Sequence, residues 1–287
     1  MKRVLSKFSV AALSFTIGHL AVVLSDRVHS TDDMQSSYCH VVEAKQKPQR
    51  SLTLAALRNR NDNVAFVSIY VSKKVEDVYS VDVAYPQVKG LNNNAAMKFN
   101  RWISNFILDD VAEFSGLEKA AVLEYKRTGK TPPIEESLHV SYEVMLATET
   151  IVSIRFTHVV MAFGQMHPID YYVSINYDLK SGKFLKLGDL FKRRANFLET
   201  ISTYCRDEIQ KTYDMSYTNE EWMTKGLQPK SGNFANWNLT TEGIHISFED
   251  YQVGSHAMGQ PELTVPYDVL IDLLETTDAL RPVERPF

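Results

Sequence analysis

The clearest alternation in the chain lies just past its middle. Ile169, Tyr171, Val173, Ile175 and Tyr177 are apolar or aromatic, and Asp170, Tyr172, Ser174, Asn176 and Asp178 fall between them. A period of two is the pattern of a strand with one buried face. Lys180, Ser181 and Gly182 supply a turn, with Gly182 free to take positive φ, and Phe184, Leu185 and Leu187 return as the partner strand. The same reading predicts strands over 64–71, 75–85, 138–146, 151–162, 244–248 and 262–265, and a strand and turn over 237–243. Pro86 should end the second of these, because proline removes a ladder donor. Thr148, Glu149 and Thr150 form the expected hairpin turn.

Helices show as apolar residues spaced by three and four. Ala95, Phe99, Trp102, Ile103, Phe106, Ile107, Val111 and Phe114 predict a long amphipathic helix capped among Asn92, Asn93 and Asn94. Gly116 is expected to interrupt it before a short helix over 117–125. Phe197, Leu198, Ile201, Tyr204, Cys205 and Ile209 predict a second, and Tyr267 to Glu275 a short closing one. Residues 214–235 read as loop. The sum is an α+β fold: antiparallel sheets, each with one face in water, and two long amphipathic helices packed on them.

The first 30 residues change the picture from fold to destination. Lys2, Arg3 and Lys7 precede an apolar run from Phe8 to Leu24, and Val28, His29 and Ser30 offer a cleavage site, with Val23, Leu24 and Ser25 as the alternative. This is the form of a secretory signal peptide, 1–30. Retention as a membrane anchor is the other reading, because 17 residues lie at the lower limit for a span. Export to the periplasm or medium follows either way. A polar lead segment, 31–63, comes next, with at most one short helix near Leu52 to Leu57, and a tail, 276–287, ends the chain. The net charge of -4 becomes more negative on cleavage, since four basic residues and one acidic residue leave. That balance argues against nucleic acid and toward solubility or a basic partner. Cys39 and Cys205 either pair in an oxidising compartment or stay as thiols; the sequence leaves both open.

Candidate chemistry is sparse. No HExxH, no histidine pair four apart on a helix and no zinc-spaced cysteines occur, so no metal or cofactor is expected. Gly129-Lys130-Thr131 lacks the first glycine of a phosphate loop. The stretch from Gly254 to Gly259 holds Ser255 and His256 but not GxSxG; it reads as a ligand-facing loop or a plain strand connection. Asp178 and Asp189 suit turn and cap hydrogen bonds. Aromatic and imidazole side chains are the better candidates for binding, by stacking on sugar or anchoring a protein: Tyr171, His167, Tyr251, His256 and Trp237. No catalytic set is legible.

The second half resembles the DUF3298 family of exported bacterial proteins. The resemblance rests on the run 174–191, the helix beginning Phe197-Leu198-Glu199, and 237–270 with Gly243, Tyr251, Gly259, Pro266 and Tyr267. Residues 84–103 look like the DUF4163 module that commonly precedes it, which places a DUF4163-like module at 64–168 and a DUF3298-like module at 169–275. Related pairs form the extracellular part of an anti-sigma factor that binds lysozyme, or precede polysaccharide deacetylase domains; a secreted mycobacterial antigen is similar. The resemblance implies a non-enzymatic envelope binding module for a lysozyme-like protein or cell-wall glycan, with an envelope hydrolase as the alternative. Few residues precede the apolar run and none follows residue 287, so neither a sigma-binding nor a deacetylase domain is expected.

Overall fold

The computed structural model describes residues 38–41, 64–75, 79–91, 93–128, 135–162 and 165–275. The leader, the helix expected near Leu52, the loop at 129–134 and the tail lie outside the described residues.

Four strands and a helix open the fold. β1 (Tyr38–Val41), β2 (Ala65–Val75) and β3 (Tyr79–Lys89) run antiparallel, and α1 (Asn94–Arg127) then carries the chain across to β4 (Glu136–Ala147), which lies parallel to β3. β1 falls in the lead segment, where no strand was expected. β5 (Ile151–Met161), β6 (Ile169–Asp178) and β7 (Lys183–Phe184) follow as an antiparallel meander and complete one sheet in the order β1 to β7. The boundary expected at 168 therefore falls between two strands of a single sheet. The turn after β4 forms as expected, with Thr148 Oγ1 accepting from the backbone of Thr150 and Ile151. The turn after β6 is held by Asp178, whose Oδ1 accepts from Lys180 and Ser181, with Gly182 at φ 70°. That task depresses the Asp178 pKa: its turn hydrogen bonds outweigh the opposing effect of burial. The partner strand is only Lys183 and Phe184, and Asp189 accepts from Lys186 N as the chain leaves it.

Two expectations fail here for local reasons. Pro86 does not end β3: it stands opposite Ser68 and the strand continues to Lys89. The pairing with β4 stops at Val83, and Asn100 of α1 instead bonds both the N–H and the C=O of Val88 on that edge. Pro86 shares the parity of Val88, so its missing donor faces an edge without a strand neighbour. Nor does Gly116 interrupt α1, which runs unbroken through it: a single glycine costs a helix interior only about 1 kcal/mol, which the packing of the apolar stripe of α1 on the sheet offsets.

The rest of the chain builds a second layer. α2 (Phe197–Thr212) is followed by α3 (Glu220–Gly226), a short helix in the segment read as loop, capped by Asn219 on Trp222 N. β8 (Trp237–Leu239), β9 (Gly243–Ser247) and β10 (Glu262–Pro266) form a three-stranded antiparallel sheet, and α4 (Tyr267–Leu270) closes the unit. Two apolar cores result. In one, Phe99, Ile103, Ile107 and Phe114 of α1 meet Val81, Val140, Ile154, Phe156 and Tyr177 of the large sheet. In the other, Ile201, Cys205 and Ile209 of α2 and Met223 of α3 meet Leu239, Ile244, Ile246 and Val265 of the small sheet. Cys205 is a free thiol there, and burial pushes its pKa up.

The middle of the polar face of β6, at Ser174 and Asn176, is covered. Ser174 donates to Asn238 Oδ1 at 2.8 Å, Asn176 donates to Trp237 O at 2.8 Å and accepts from Leu239 N at 3.1 Å, and Asn238 Nδ2 donates to Ser153 Oγ and Ile154 O. The two sheets thus meet through hydrogen bonds. A polar face can be buried when each group finds a partner. Asn238 begins a formal glycosylation sequon, yet its side chain is consumed inside this contact.

Candidate binding site

Two loops bring exposed ring side chains together. One, 165–168, enters β6; the other, 248–261, joins β9 to β10. Gln260 Nε2, on the second loop, donates to Asp170 O near the start of β6 at 2.8 Å. On the second loop His256 Nδ1 lies 2.7 Å from Asp250 Oδ2, and on the first His167 Nδ1 lies 3.0 Å from Pro168 O. An oxygen of either kind only accepts here, so each ring carries a proton on Nδ1. The rings of Tyr251, His256 and His167 stack in series, with centroids 5.9 Å and 5.4 Å apart and planes inclined by 22° at each step. Tyr251 is 53% exposed and Met166, next to His167, is 89% exposed.

The second loop is braced from below. Gln252 Nε2 donates to Gly226 O and Asn233 O, Ser255 N donates to Tyr217 O, and Thr218 Oγ1 donates to Val253 O. The segment 214–235 therefore serves as the buttress of the site. Its fit is close: a Cβ on Gly226 would stand 2.1 Å from Gln252 O, and one on Gly254 would stand 2.2 Å from Met258 Sδ. Gly254 is there for space, which explains the loop without any serine elbow. Tyr251 sits at φ 61°, a left-handed conformation that a bulky side chain adopts at a cost of order 1–3 kcal/mol. Such strain persists only where the surroundings over-determine it, and here it turns the ring outward.

At the start of the second loop, Glu249 takes a hydrogen bond from Asn236 Nδ2. Burial, with Asp250 beside it, raises its pKa to about 7 against these bonds. Deeper still, Tyr171 is 3% exposed, stacked on the buried His158 at 4.7 Å, and burial near Asp110 drives its pKa upward. His158 Nε2 lies 3.4 Å from Asp110 Oδ2 of α1.

Of the five side chains singled out from the sequence, the structure brings together Tyr251, His256 and His167. Tyr171 faces α1, inside the sheet, and Trp237 is 5% exposed in the core beneath α2, so neither reaches the rim. Alternation showed that Tyr171 and Tyr172 point opposite ways but not which side is covered. Asp250, Glu249 and Met166 were not anticipated; the only sequence signal for Asp250 is its place before Tyr251.

A second polar cluster lies where the sheets meet. Glu262 accepts from Arg155 at 2.5 Å, from Tyr172 OH at 2.7 Å, and lies 3.2 Å from His245 Nε2; Arg155 also reaches Glu143 and Ser247 and lies 4.9 Å from the Tyr172 ring centre. Burial would raise the Glu262 pKa, but the bonds from His245, Arg155 and Tyr172 outweigh it and hold it at about 2. Both oxygens of this carboxylate are engaged, so the cluster joins sheets rather than offering a free base. Among the described residues no group of three His, Cys, Asp or Glu side chains forms a metal-holding set, and no helix is long and apolar enough to cross a membrane.

Comparison with known proteins shows what the chain is similar to. Residues 188–268 match the family model DUF3298, described as a protein of unknown function. Tyr251, His256 and Trp237 fall inside the match; His167 and Tyr171 do not. The match supports the DUF3298 half of the resemblance and leaves the DUF4163 half without one. The chain is 24% identical over 197 residues to the peptidoglycan-N-acetylmuramic acid deacetylase PdaC of Bacillus subtilis (strain 168), covering 69% of this chain but only 39% of that protein. It is 24% identical over 216 residues to the anti-sigma-V factor RsiV of the same organism, covering 74% of this chain and 70% of that one. The crystal structure of a DUF3298 family member from Bacteroides fragilis NCTC 9343 shares the fold, with a TM-score of 0.58 and 17% identity over 74% of this chain and 94% of that one.

Proposed function

We propose that this chain is an exported, non-enzymatic binding module of the bacterial envelope, and that it takes its partner on the rim formed by Tyr251, His256 and His167. One observation carries the reading: three exposed rings stack in series on two loops, one of the loops braced and one of the rings held out by a strained backbone. Exposed rings of this kind anchor proteins or stack on sugars. The setting is supported by the leader-like N-terminus and by a relative whose name places its reaction on peptidoglycan. Cell-wall glycan and a basic, lysozyme-like protein are the two partners considered, the second favoured by the acidic charge of the chain. Titrating the purified protein with lysozyme and with soluble peptidoglycan fragments at low salt is the test. Binding that falls at least tenfold in Tyr251→Ala is expected; no binding of either ligand removes the proposal.

The Asp250–His256 pair favours a second reading. A histidine oriented by a carboxylate at 2.7 Å, with Nε2 free, has the geometry of a general base, and would suit a hydrolase acting on peptidoglycan or polysaccharide. Mass spectrometry of peptidoglycan after incubation decides it: new fragments or lost acetyl groups, absent with His256→Ala, would establish the hydrolase, and an unchanged spectrum would exclude it.

A further inference from the structure

We infer that the outer face of α1 is a docking surface for an anionic lipid bilayer, with the helix lying along the membrane plane. The inference goes beyond the binding reading and uses none of the rim residues.

Helix geometry defines the face. Phe99, Ile103, Ile107 and Phe114 turn one side of α1 into the core. At about 100° per residue, the line opposite that side runs through positions 98, 101, 105, 108, 112, 116, 119, 123 and 126. Every one of these positions is exposed. Lys98, Arg101, Lys119 and Lys126 make four of them cationic, and none is a carboxylate. Leu108 and Leu123 lie on the same line, 43% and 59% exposed. Among the described residues none of the four cations has an ion-pair partner. The described carboxylates of the helix lie off the line: Asp110 is buried beside His158, and Asp109 and Glu113 are half-buried. The first turn of α1 holds no acid either, so the positive end of the helix dipole adds to the charge there.

Charge sets the sign of the partner. The chain is net -4, yet this face carries only cations, so positive charge is segregated on it. Pairing two copies face to face would oppose like charges. Shape and the two leucines set the kind of partner. From position 98 to 126 the line extends about 42 Å at 1.5 Å per residue, which matches a plane better than a small ligand. A bilayer gives each group a place: the Lys and Arg stems carry their charges to headgroup phosphates, and the leucines enter the acyl boundary. A soluble polyanion would pair with the cations and leave both leucines in water. The helix would lie on the bilayer and not cross it, since no helix among the described residues is long and apolar enough to span one.

Tryptophan quenching by brominated lipid tests the assignment on the full chain. The apolar run at 8–24 can itself enter a vesicle, so the readout must come from α1. Leu108→Trp and Leu123→Trp should each add a signal that is quenched on vesicles of brominated phosphatidylglycerol and phosphatidylcholine. The added signal should escape quenching on brominated phosphatidylcholine alone, and on the anionic vesicles at roughly 0.5 M salt. Lys211→Trp, at an exposed position of α2, should add a signal that escapes quenching throughout. Replacing Lys98, Arg101, Lys119 and Lys126 together by Ser should raise the lipid concentration for half-maximal quenching at least tenfold. Replacing Arg193, Arg194, Lys211 and Lys230 by Ser removes the same charge from other exposed positions and should leave it unchanged. Absence of quenching at both leucine positions on anionic vesicles, or quenching that survives undiminished without the four α1 cations, overturns the proposal. So does binding of polyphosphate through those cations without quenching by vesicles, which would assign the face to a soluble polyanion.

Discussion

Glu262 shows how a single carboxylate can hold two layers together. It receives Arg155, Tyr172 and His245, and Arg155 is itself largely buried, with its Nε lacking a hydrogen-bond partner. Replacing Glu262 by Gln removes the charge that Arg155 needs. Breaking such a pair by removing one partner typically destabilises by several kcal/mol. Because Glu262 keeps some exposure and Glu143 remains as a second partner, the expected loss is about 2–3 kcal/mol, read as a lower urea midpoint at unchanged slope. Tyr251 is the opposite case. Its ring touches His256, but its backbone is strained, so Tyr251→Gly should stay within about 1 kcal/mol of the parent in the same assay. A large destabilisation by Tyr251→Gly would mean that the ring serves the fold and not a partner.

The elements differ in how much room they leave. α1 passes Gly116 with open space around it, so Gly116→Ala should stabilise by about 0.5–1 kcal/mol through helix propensity alone. β9 begins at Gly243, where a Cβ would stand 2.1 Å from Val265 O across the β9–β10 pair. Gly243→Ala must push those strands apart and should lower the thermal midpoint or abolish soluble expression. β8 depends on Asn238, which binds both Ser153 and Ser174 as well as Ile154 O. Asn238→Ala strands several buried groups and should cost about 2–4 kcal/mol. If Asn238→Ala were neutral, hydrogen bonds between the sheets would not be what holds them.

The whole molecule carries two carboxylates with opposite pH signatures. Glu262 sits at about 2, below its ordinary 4.5, so the stability it lends is present above pH 4.5 and is lost as pH falls toward 2. Glu249 sits at about 7, above its ordinary 4.5, so its contribution is full below pH 4.5 and is lost as pH rises through 7. Stability should therefore peak on the acid side of neutrality. Glu249→Gln should flatten the decline between about pH 4.5 and 7, an effect on the order of 1–3 kcal/mol. Urea midpoints across that range give the answer, and parallel profiles for the two proteins would show that Glu249 does not titrate there.

The sequence by itself determined which residues share a face. Alternation placed Tyr171, Ile175 and Tyr177 together on β6, the three–four spacing placed Phe99, Ile103 and Ile107 together on α1, and Asp178 with Gly182 marked the turn, because these patterns follow from backbone geometry alone. It also carried the DUF3298 resemblance that the family match supports. Only the tertiary structure decided what each face meets. The polar side of β6 reads as a wet surface, yet β8 covers it at Ser174 and Asn176, since the amides and hydroxyls there satisfy one another across the sheets. Tyr171 and Tyr251 are the same residue type, and one is buried under α1 while the other stands at the rim. The meeting of His167 with His256, 89 positions apart, depends on two loops coming together, and periodicity holds no information at that range.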